Sequence, residues 1–350
     1  MPAPSRDVLA GKLPVSLITG FLGSGKTTLL KRLLRDPAMN RAAVIINEFG
    51  EVGIDHELVA SSSESMTLLS NGCLCCTVRT DLQETLRELF IKRRAGEVID
   101  FDRVFVETTG LADPVPVLHT LQTDGMLGAQ YRLDCVVTLV DAVNGARNLD
   151  DAPEAAKQAA VADRIVITKS DIAPPAAVAD LEARLARLNP FAARTTAVGG
   201  ELDIEFLRDV GPRSTRATKD LDRWLSPSGE PRPGGAYLGE RLRTGAHDAS
   251  IRSFCLWFDA PFSWDSFAAA VQVLTSLRGS DLLRVKGLVN VAGEAGPVVV
   301  QGAQHVFHPP VTLESWPGDD RRSRIVFITR NLERESVEPL FAAVGALAAP

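Results

Sequence analysis

Gly20-Phe21-Leu22-Gly23-Ser24-Gly25-Lys26-Thr27-Thr28 is the stretch that decides the fold of this 350-residue chain. An apolar run at 14–19 precedes it and leucines at helical spacing follow it, which predicts a strand, a glycine loop and a helix. Glycines let backbone N–H groups converge on phosphate oxygens, and the helix start adds its positive dipole end. The stretch matches the P-loop pattern G-x-x-x-x-G-K-S/T, so we expect a nucleotide-phosphate site.

The polar side chains of this loop have separate expected roles. Lys26 should reach the β- and γ-phosphates, and the Thr27 hydroxyl should ligate Mg²⁺. The residues expected to contact nucleotide here are Gly20, Gly23, Ser24, Gly25, Lys26, Thr27 and Thr28.

Two later strand ends carry the other nucleotide elements. A strand at 101–106 runs into Glu107-Thr108-Thr109-Gly110, the form of a Walker B element, whose acid would hold Mg²⁺ and whose Gly110 N–H could sense the γ-phosphate. A strand at 164–167 runs into Thr168-Lys169-Ser170-Asp171, the arrangement that recognises guanine. The Asp171 carboxylate would accept from the two ring-edge N–H groups of guanine, and the Lys169 stem would cover the base. Thr168 stands where GTPases more often have Asn.

The cysteines are concentrated in one segment, Gly72-Cys73-Leu74-Cys75-Cys76, with three of the five in four positions. We expect this segment at a strand-to-helix turn, between a strand at 66–69 and a helix at 81–94. Thiolates favour Zn²⁺ or Cu⁺ over hard cations, and three thiolates are one short of a closed tetrahedral zinc site. Buried inert cysteines and a redox pair are the alternatives. Cys135 lies in an apolar run and is predicted to be core.

A second acidic segment follows a strand at 42–47. Glu48 and Asp55 could contact Mg²⁺, orient water or help to bind a second metal. The fourth ligand of a metal at the cysteines could be Glu48, a histidine, water or a group from a partner. A solvated polar loop is the alternative. His305 lies on a predicted strand at 297–307 and His308 directly follows it. An odd separation along a strand places two side chains on opposite faces, which argues against a metal pair.

The net charge and the distribution of apolar residues argue against some classes of function. The net charge of −6 gives no electrostatic footprint for nucleic acid or an anionic membrane. No apolar run approaches the roughly 18 residues that span a bilayer, and the polar N-terminus lacks a signal-peptide core. We therefore expect a cytoplasmic protein with reduced thiols.

The predicted organisation has two folded parts. Residues 1–212 should form an α/β P-loop NTPase domain with a mostly parallel sheet and flanking helices. Residues 213–249, rich in proline and glycine, are predicted to be a linker. Residues 250–350 should form a smaller α+β domain, with a helix that begins after a capping Ser263.

Five motifs occur in order: the P-loop, Asn47-Glu48-Phe49-Gly50, Gly72-Cys73-Leu74-Cys75-Cys76, the segment from Glu107 to Pro114, and Thr168-Lys169-Ser170-Asp171. With this set the chain resembles the CobW family of metal-trafficking P-loop GTPases. The resemblance continues into Leu283-Arg284-Val285-Lys286-Gly287 and covers roughly residues 14–345. Many relatives carry a histidine-rich stretch, whereas this chain has only five histidines.

The resemblance implies a GTPase that cycles between GTP and GDP with Mg²⁺ and delivers Zn²⁺, or Co²⁺, to a client metalloprotein. The residues that it assigns to hydrolysis are Lys26, Thr27, Glu107 and Gly110, and those that it assigns to the metal are Cys73, Cys75 and Cys76. Three alternatives stay open: a GTPase of cobalt handling and cobalamin synthesis or of metalloenzyme activation, a P-loop ATPase or kinase with structural cysteines, and a nucleotide-gated binding module. A homo-oligomer that forms with nucleotide or metal also stays open.

Overall fold

The computed structural model describes residues 9–47, 66–68, 74–78, 82–208, 210–211 and 250–347. Residues 11–185 and 192–210 form one compact unit. The second unit contains the chain after 250 together with residues 186–191. The predicted linker at 213–249 lies outside the described residues.

The first unit alternates strands and helices, as an α/β fold requires. Its strands are β1 (Leu13–Gly20), β2 (Ala42–Asn47), β3 (Met66–Leu68), β4 (Leu74–Val78), β5 (Arg103–Thr108), β6 (Tyr131–Asp141), β7 (Arg164–Thr168) and β8 (Ala193–Ala197). Its helices are α1 (Lys26–Leu33), α2 (Leu82–Ala95), α3 (Val115–Thr123), α4 (Gly125–Gln130), α5 (Gly145–Asp151), α6 (Pro153–Val161) and α7 (Pro175–Leu188), the last of which runs into the second unit.

These strands form one eight-stranded sheet in the order β3-β4-β2-β5-β1-β6-β7-β8. Every neighbouring pair is parallel except β3 with β4, which is antiparallel. The predicted α/β P-loop architecture is therefore confirmed. Because β1 lies between β5 and β6, the carboxyl ends of these central strands meet at one edge, where ligands of open α/β sheets bind.

The core beneath this edge explains why the strands read as apolar runs. Strands covered on both faces are nearly continuous in hydrophobic residues, and β6 is buried at all but one of its positions. Helix α1 packs against the same core through the face that carries Leu29, Leu30 and Leu33. Cys135 is fully buried in it, as predicted.

The second unit contains β9 (Ile251–Phe258), α8 (Trp264–Arg278), β10 (Leu282–Val289), β11 (Val298–Ala303), β12 (Val306–Phe307), β13 (Val311–Thr312), β14 (Ser323–Arg330) and α9 (Arg334–Leu347). Its sheet has the order β12-β11-β10-β14-β9, with β13 paired to β11, and every pairing is antiparallel. The predicted α+β class is confirmed. Ser263 caps α8 as expected, since its Oγ accepts from Ser266 N at 3.2 Å.

One predicted strand is wrong in detail. The run at 297–307 is a hairpin, β11 and β12, because the chain turns at Gln304, which has φ 52°. His305 lies in this turn and its Nδ1 contacts Thr275 O at 3.0 Å. The alternation of side chains between strand faces therefore does not separate His305 from His308.

Among the described residues, no helix is long and apolar enough to cross a membrane.

Candidate functional site

The P-loop connects the end of β1 to the start of α1. Gly25 precedes α1 with φ 90°, a left-handed conformation that L side chains adopt only with strain. Lys26 is 9% exposed, and its Nζ donates to the carbonyl oxygens of Gly20 at 2.8 Å and Phe21 at 3.3 Å. The ammonium is thus held over the loop, where an anion would compete with the two carbonyls for its protons.

The Walker B segment lies directly beside the loop. Glu107, in β5, is 6% exposed, and its Oε1 accepts from Thr27 Oγ1 at 3.3 Å. At the same strand ends, Thr108 Oγ1 donates to Thr19 Oγ1 at 2.8 Å. The structure thus brings together Thr27 and Glu107, the two oxygen donors that the sequence assigned to Mg²⁺.

Gly110 follows in a turn at 109–112, closed by a hydrogen bond of 3.1 Å from Ala112 N to Thr109 O. A Cβ on Gly110 would lie 2.8 Å from Leu22 N and 2.9 Å from Leu22 Cα, closer than real Cβ contacts. Because backbone cannot move aside as a side chain can, only glycine permits this approach of the turn to the P-loop.

The predicted base-recognition motif is joined to the P-loop through its first residue. Thr168, at the end of β7, donates through Oγ1 to Ser24 O at 2.8 Å. The threonine hydroxyl thereby supplies a link between the two motifs. Asp171 lies in the turn after β7 with an exposed side chain.

Asp141 is a site residue to which the sequence argument gave no role. It ends β6, is 3% exposed, and its Oδ2 accepts from Lys169 Nζ at 2.8 Å and from Asn144 Nδ2 at 3.1 Å. Burial alone would raise the pKa of Asp141, but its hydrogen bonds, that from Lys169 foremost, outweigh burial and lower the pKa. Lys169 has φ 58°, an uncommon conformation for a residue with a side chain. The Lys169 side chain is therefore positioned both by its backbone conformation and by the contact of its Nζ with Asp141.

A second group that sequence reasoning missed is on α6. Gln158 is fully buried and Lys157 is its neighbour, and both contact the chain just after Glu107. Pro153 at the first turn and Glu154 beside it are helix-start signals that could have revealed α6.

The cysteine segment differs from its prediction. Residues Leu74–Val78, which include Cys75 and Cys76, form a strand, β4, and not a strand-to-helix turn. Backbone pairing with β2 and β3 on either side accounts for the difference, because long-range ladders override local turn signals. Glu48, Asp55 and Cys73 lie outside the described residues. Within the described residues, no three His, Cys, Asp or Glu side chains form a group that could hold a metal.

Two segments of the chain match known protein families. Residues 14–195 match the profile of the CobW/HypB/UreG nucleotide-binding domain, and residues 251–344 match that of the cobalamin synthesis protein cobW C-terminal domain. The chain belongs to the CobW family. Its two matched segments are those in which the sequence shows the family's motifs.

Relatives from the CobW family align with nearly the whole chain. The zinc chaperone YjiA of Escherichia coli K12 is 32% identical over 95% of this chain and 98% of its own length. The zinc-regulated GTPase metalloprotein activator 1 of Saccharomyces cerevisiae is 29% identical over 94% of this chain and 82% of its own length.

Solved structures of YjiA agree with the fold. The zinc-bound YjiA GTPase aligns with a TM-score of 0.72 over 95% of this chain and 99% of that chain, at 32% identity. A YjiA triple mutant, with one glutamate and two cysteines changed to alanine, is also zinc-bound, with 31% identity, the same coverage and a TM-score of 0.72.

Proposed function

We propose that this chain is a GTP-hydrolysing metallochaperone, which binds zinc through Cys73, Cys75 and Cys76 and delivers it to a client protein. The observation that supports this most is the meeting of three motifs at one sheet edge. Thr27 contacts Glu107 at 3.3 Å, and Thr168 contacts the P-loop carbonyl of Ser24 at 2.8 Å. Relatives that match over the whole chain are named zinc chaperone and zinc-regulated GTPase.

The phosphate end of the site would work through Lys26, Thr27 and Glu107. Thr27 and Glu107 are hard oxygen donors, which suits Mg²⁺. When bound, Mg²⁺ would neutralise charge that develops on the phosphates. Lys26 would exchange its contacts to the Gly20 and Phe21 carbonyls for phosphate oxygens, and the Gly110 N–H would meet the γ-phosphate.

The base end would select guanine through Asp171 and Lys169. Asp171 is exposed at the end of β7 and free to accept the N–H pair of guanine, which adenine lacks. Lys169 is held by Asp141 at 2.8 Å, so its stem lies at the same strand end, available to cover the base.

The proposed metal site is supported by the chemistry of the thiols and by the order of the strands in the sheet. Soft thiolates suit Zn²⁺ as cargo, with Glu48 as a candidate fourth ligand. The strand β4, which carries Cys75 and Cys76, is separated from β5 only by β2. A nucleotide-driven change at the end of β5 would therefore reach the metal segment through one intervening strand.

Guanine selection is tested by Asp171→Ala. We expect the preference of the wild-type protein for GTP over ATP to fall by at least about 100-fold, because two hydrogen bonds to a charged acceptor are lost. The affinity for each nucleotide would be measured by equilibrium fluorescence titration. Asp180→Ala, an exposed aspartate on α7, is the matched control. Equal affinity of the wild-type chain for ATP and GTP would favour the ATPase alternative.

Metal binding is tested by competition titration of Zn²⁺ against a chromophoric chelator, with GTP, GDP or no nucleotide, and a parallel titration with Co²⁺. Affinity is the proper measure, since the alanine variant of YjiA is itself zinc-bound in the crystal. We expect one tight Zn²⁺ that is lost in Cys75→Ser and kept in Cys255→Ser, a cysteine outside the motif.

The same titration tests coupling to the nucleotide. We expect the zinc affinity to differ by about fivefold or more between the GTP and GDP states, the usual lower range of allosteric coupling. Equal zinc affinity in all nucleotide states would refute coupling. Tight zinc binding that survives Cys75→Ser would refute the cysteine assignment.

A further inference from the structure

A buried glutamine on α6 is bonded to the backbone segment that follows Glu107. Gln158, fully buried on α6, donates through Nε2 to the carbonyl oxygens of Gly110 at 3.1 Å and Ala112 at 3.0 Å. One amide nitrogen thus binds both ends of a short backbone segment that follows Glu107.

The carbonyl of Gly110 is a sensitive place for such a bond. It belongs to the central peptide of the 109–112 turn, and turns of neighbouring types differ chiefly in how that peptide is oriented. Because C=O and the next N–H of a planar trans peptide point in opposite directions, holding the Gly110 oxygen also fixes the Leu111 N–H. Gln158 therefore determines which backbone groups the turn presents.

The next residue of α6 anchors the end of the same segment. Lys157 Nζ contacts Asp113 Oδ2 at 2.5 Å, and the other carboxylate oxygen of Asp113 accepts from Val115 N at 3.0 Å at the start of α3. The segment from Gly110 to Asp113 is thereby attached to α6 at three points, two at backbone carbonyls and one at the Asp113 carboxylate.

Gln158 also lines a cavity that it shares with residues of the P-loop. Gln158 Oε1 and Ser24 Oγ are both buried and, in the described part of the chain, have no hydrogen-bond partner. Both residues line one small cavity, together with Phe21, Thr138 and Asp141. An unsatisfied buried polar atom costs about 1–3 kcal/mol. The Ser24 hydroxyl can donate and the Gln158 amide oxygen can accept, so the two unsatisfied groups are chemically complementary.

We propose that Gln158 is a positioning residue that couples the P-loop to the 109–112 turn, through Ser24 on its oxygen side and Gly110 on its nitrogen side. This inference rests on the proposed GTPase function. When a nucleoside triphosphate fills the P-loop, a shift of Ser24 brings its hydroxyl within reach of Gln158 Oε1, and the amide transmits that contact to the Gly110 peptide. GDP, which has no γ-phosphate for the turn to contact, needs this link much less.

The test compares catalysis with GDP binding in Gln158→Met, which keeps the side-chain length and removes both polar atoms. We expect kcat for GTP hydrolysis to fall about tenfold or more, with the Kd for GDP within about threefold of the wild-type value. Gln272→Met, at an exposed position on α8, should leave both quantities unchanged. An unchanged kcat, or a Kd for GDP that worsens as much as kcat, would overturn the proposal.

Two further variants separate positioning from simple support of the fold. In Gln158→Glu, a carboxylate would face two carbonyl oxygens, so kcat should recover in part as the pH is lowered and the buried acid becomes a donor. A kcat that does not rise on acidification relative to wild type would contradict this role. Lys157→Met, at the partly exposed neighbouring anchor, should lower kcat in the same direction by a smaller factor, and serves if Gln158→Met does not fold.

A double-mutant cycle examines the link to the P-loop. Ser24→Ala should cost less in kcat in the Gln158→Met background than in the wild type, because the coupled partner has already gone. Additive effects would overturn the Ser24 connection. A wild-type chain without GTPase activity would refute the proposed function itself, whereas active wild type with unaffected Gln158→Met would refute only this inference.

Discussion

Side chains at the nucleotide edge of the first unit are held by hydrogen bonds, whereas those in the core of the second unit are held by apolar packing. At the edge, Glu107, Asp141 and Thr168 are buried polar groups held by specific hydrogen bonds. In the second unit, helices cover an antiparallel sheet through a chain of phenylalanine contacts, in which Phe341 lies 5.7 Å from Phe267 and 5.8 Å from Phe327. The comparison indicates that the polar edge and the aromatic core respond to different changes, so mutations should separate catalysis from stability.

The largest effect is expected from the aromatic core. Phe341 is 1% exposed, so Phe341→Ala should lower the free energy of unfolding of the second unit by about 3–5 kcal/mol. Thermal and chemical denaturation would measure it. Leu277→Ala, at a position 75% exposed on α8, should change stability by less than about 0.5 kcal/mol. A stability loss below about 1 kcal/mol for Phe341→Ala would contradict the packing described.

At the nucleotide edge, Lys26→Ala should act on catalysis instead. Removing a preorganised cation from the phosphates should lower kcat for GTP about 100- to 1000-fold. The fold should persist, because Nζ donates to the backbone carbonyls of Gly20 and Phe21, which can bind water instead. Steady-state phosphate release measures kcat, with Arg35→Ala, exposed just after α1, as the control. A kcat within tenfold of the wild-type value would show that Lys26 contributes little to catalysis.

A smaller effect at the same edge is expected from Asp141→Asn. Lys169 would lose its charged partner, and because the ion pair is partly exposed we expect GDP affinity to fall only about five- to tenfold. Asp151→Asn, exposed at the end of α5, is the control. Unchanged GDP affinity would remove Asp141 from the base site.

The pH dependence of this variant sharpens the prediction. Since the pKa of Asp141 is lowered below the ordinary 3.8, its stabilising charge is present above that value and is lost only as the pH falls through the lower, folded-state pKa. The ratio of wild-type to variant affinity should therefore stay constant from about pH 5 to about pH 8. A ratio that changes within this window would indicate another titrating group.

The smallest effect returns to the second unit, at its surface. Glu338 pairs with Arg334 at 2.8 Å on α9, and this hydrogen bond lowers the pKa of Glu338. Glu338→Gln should nevertheless reduce stability by less than about 1 kcal/mol, because solvent screens exposed pairs. A larger loss on denaturation would show that polar contacts also stabilise this unit.

Sequence reasoning succeeded where the chemistry is contiguous. The P-loop is read from adjacent residues whose backbone does the binding, so Gly25 and Lys26 identify it without tertiary information. Runs of buried residues likewise predicted the central strands and the α/β class. The assignment of individual nucleotide and metal ligands stays a prediction.

Sequence reasoning failed for contacts between residues that are far apart in the chain and for turns that have no local sequence signal. Gln158 is 48 residues from Gly110 in sequence, and nothing in its own helix indicates that contact. The turn at Gln304 lacks a glycine or proline signal, and β4 owes its form to pairing with β2 and β3. Such features depend on tertiary pairing that local propensity does not encode.

The register of the sheet sets the distance over which metal and nucleotide could communicate. Ile45 of β2 is paired with Cys76 on one side and with Val106, which precedes Glu107, on the other. Two strand spacings of about 4.8 Å therefore separate these backbones, roughly 10 Å in total. Ile45 and Val106 are fully buried on this path, and salt screens buried charges much less than exposed ones. A coupling carried through β2, whether by charge or by displacement of the strands, should therefore depend only weakly on salt.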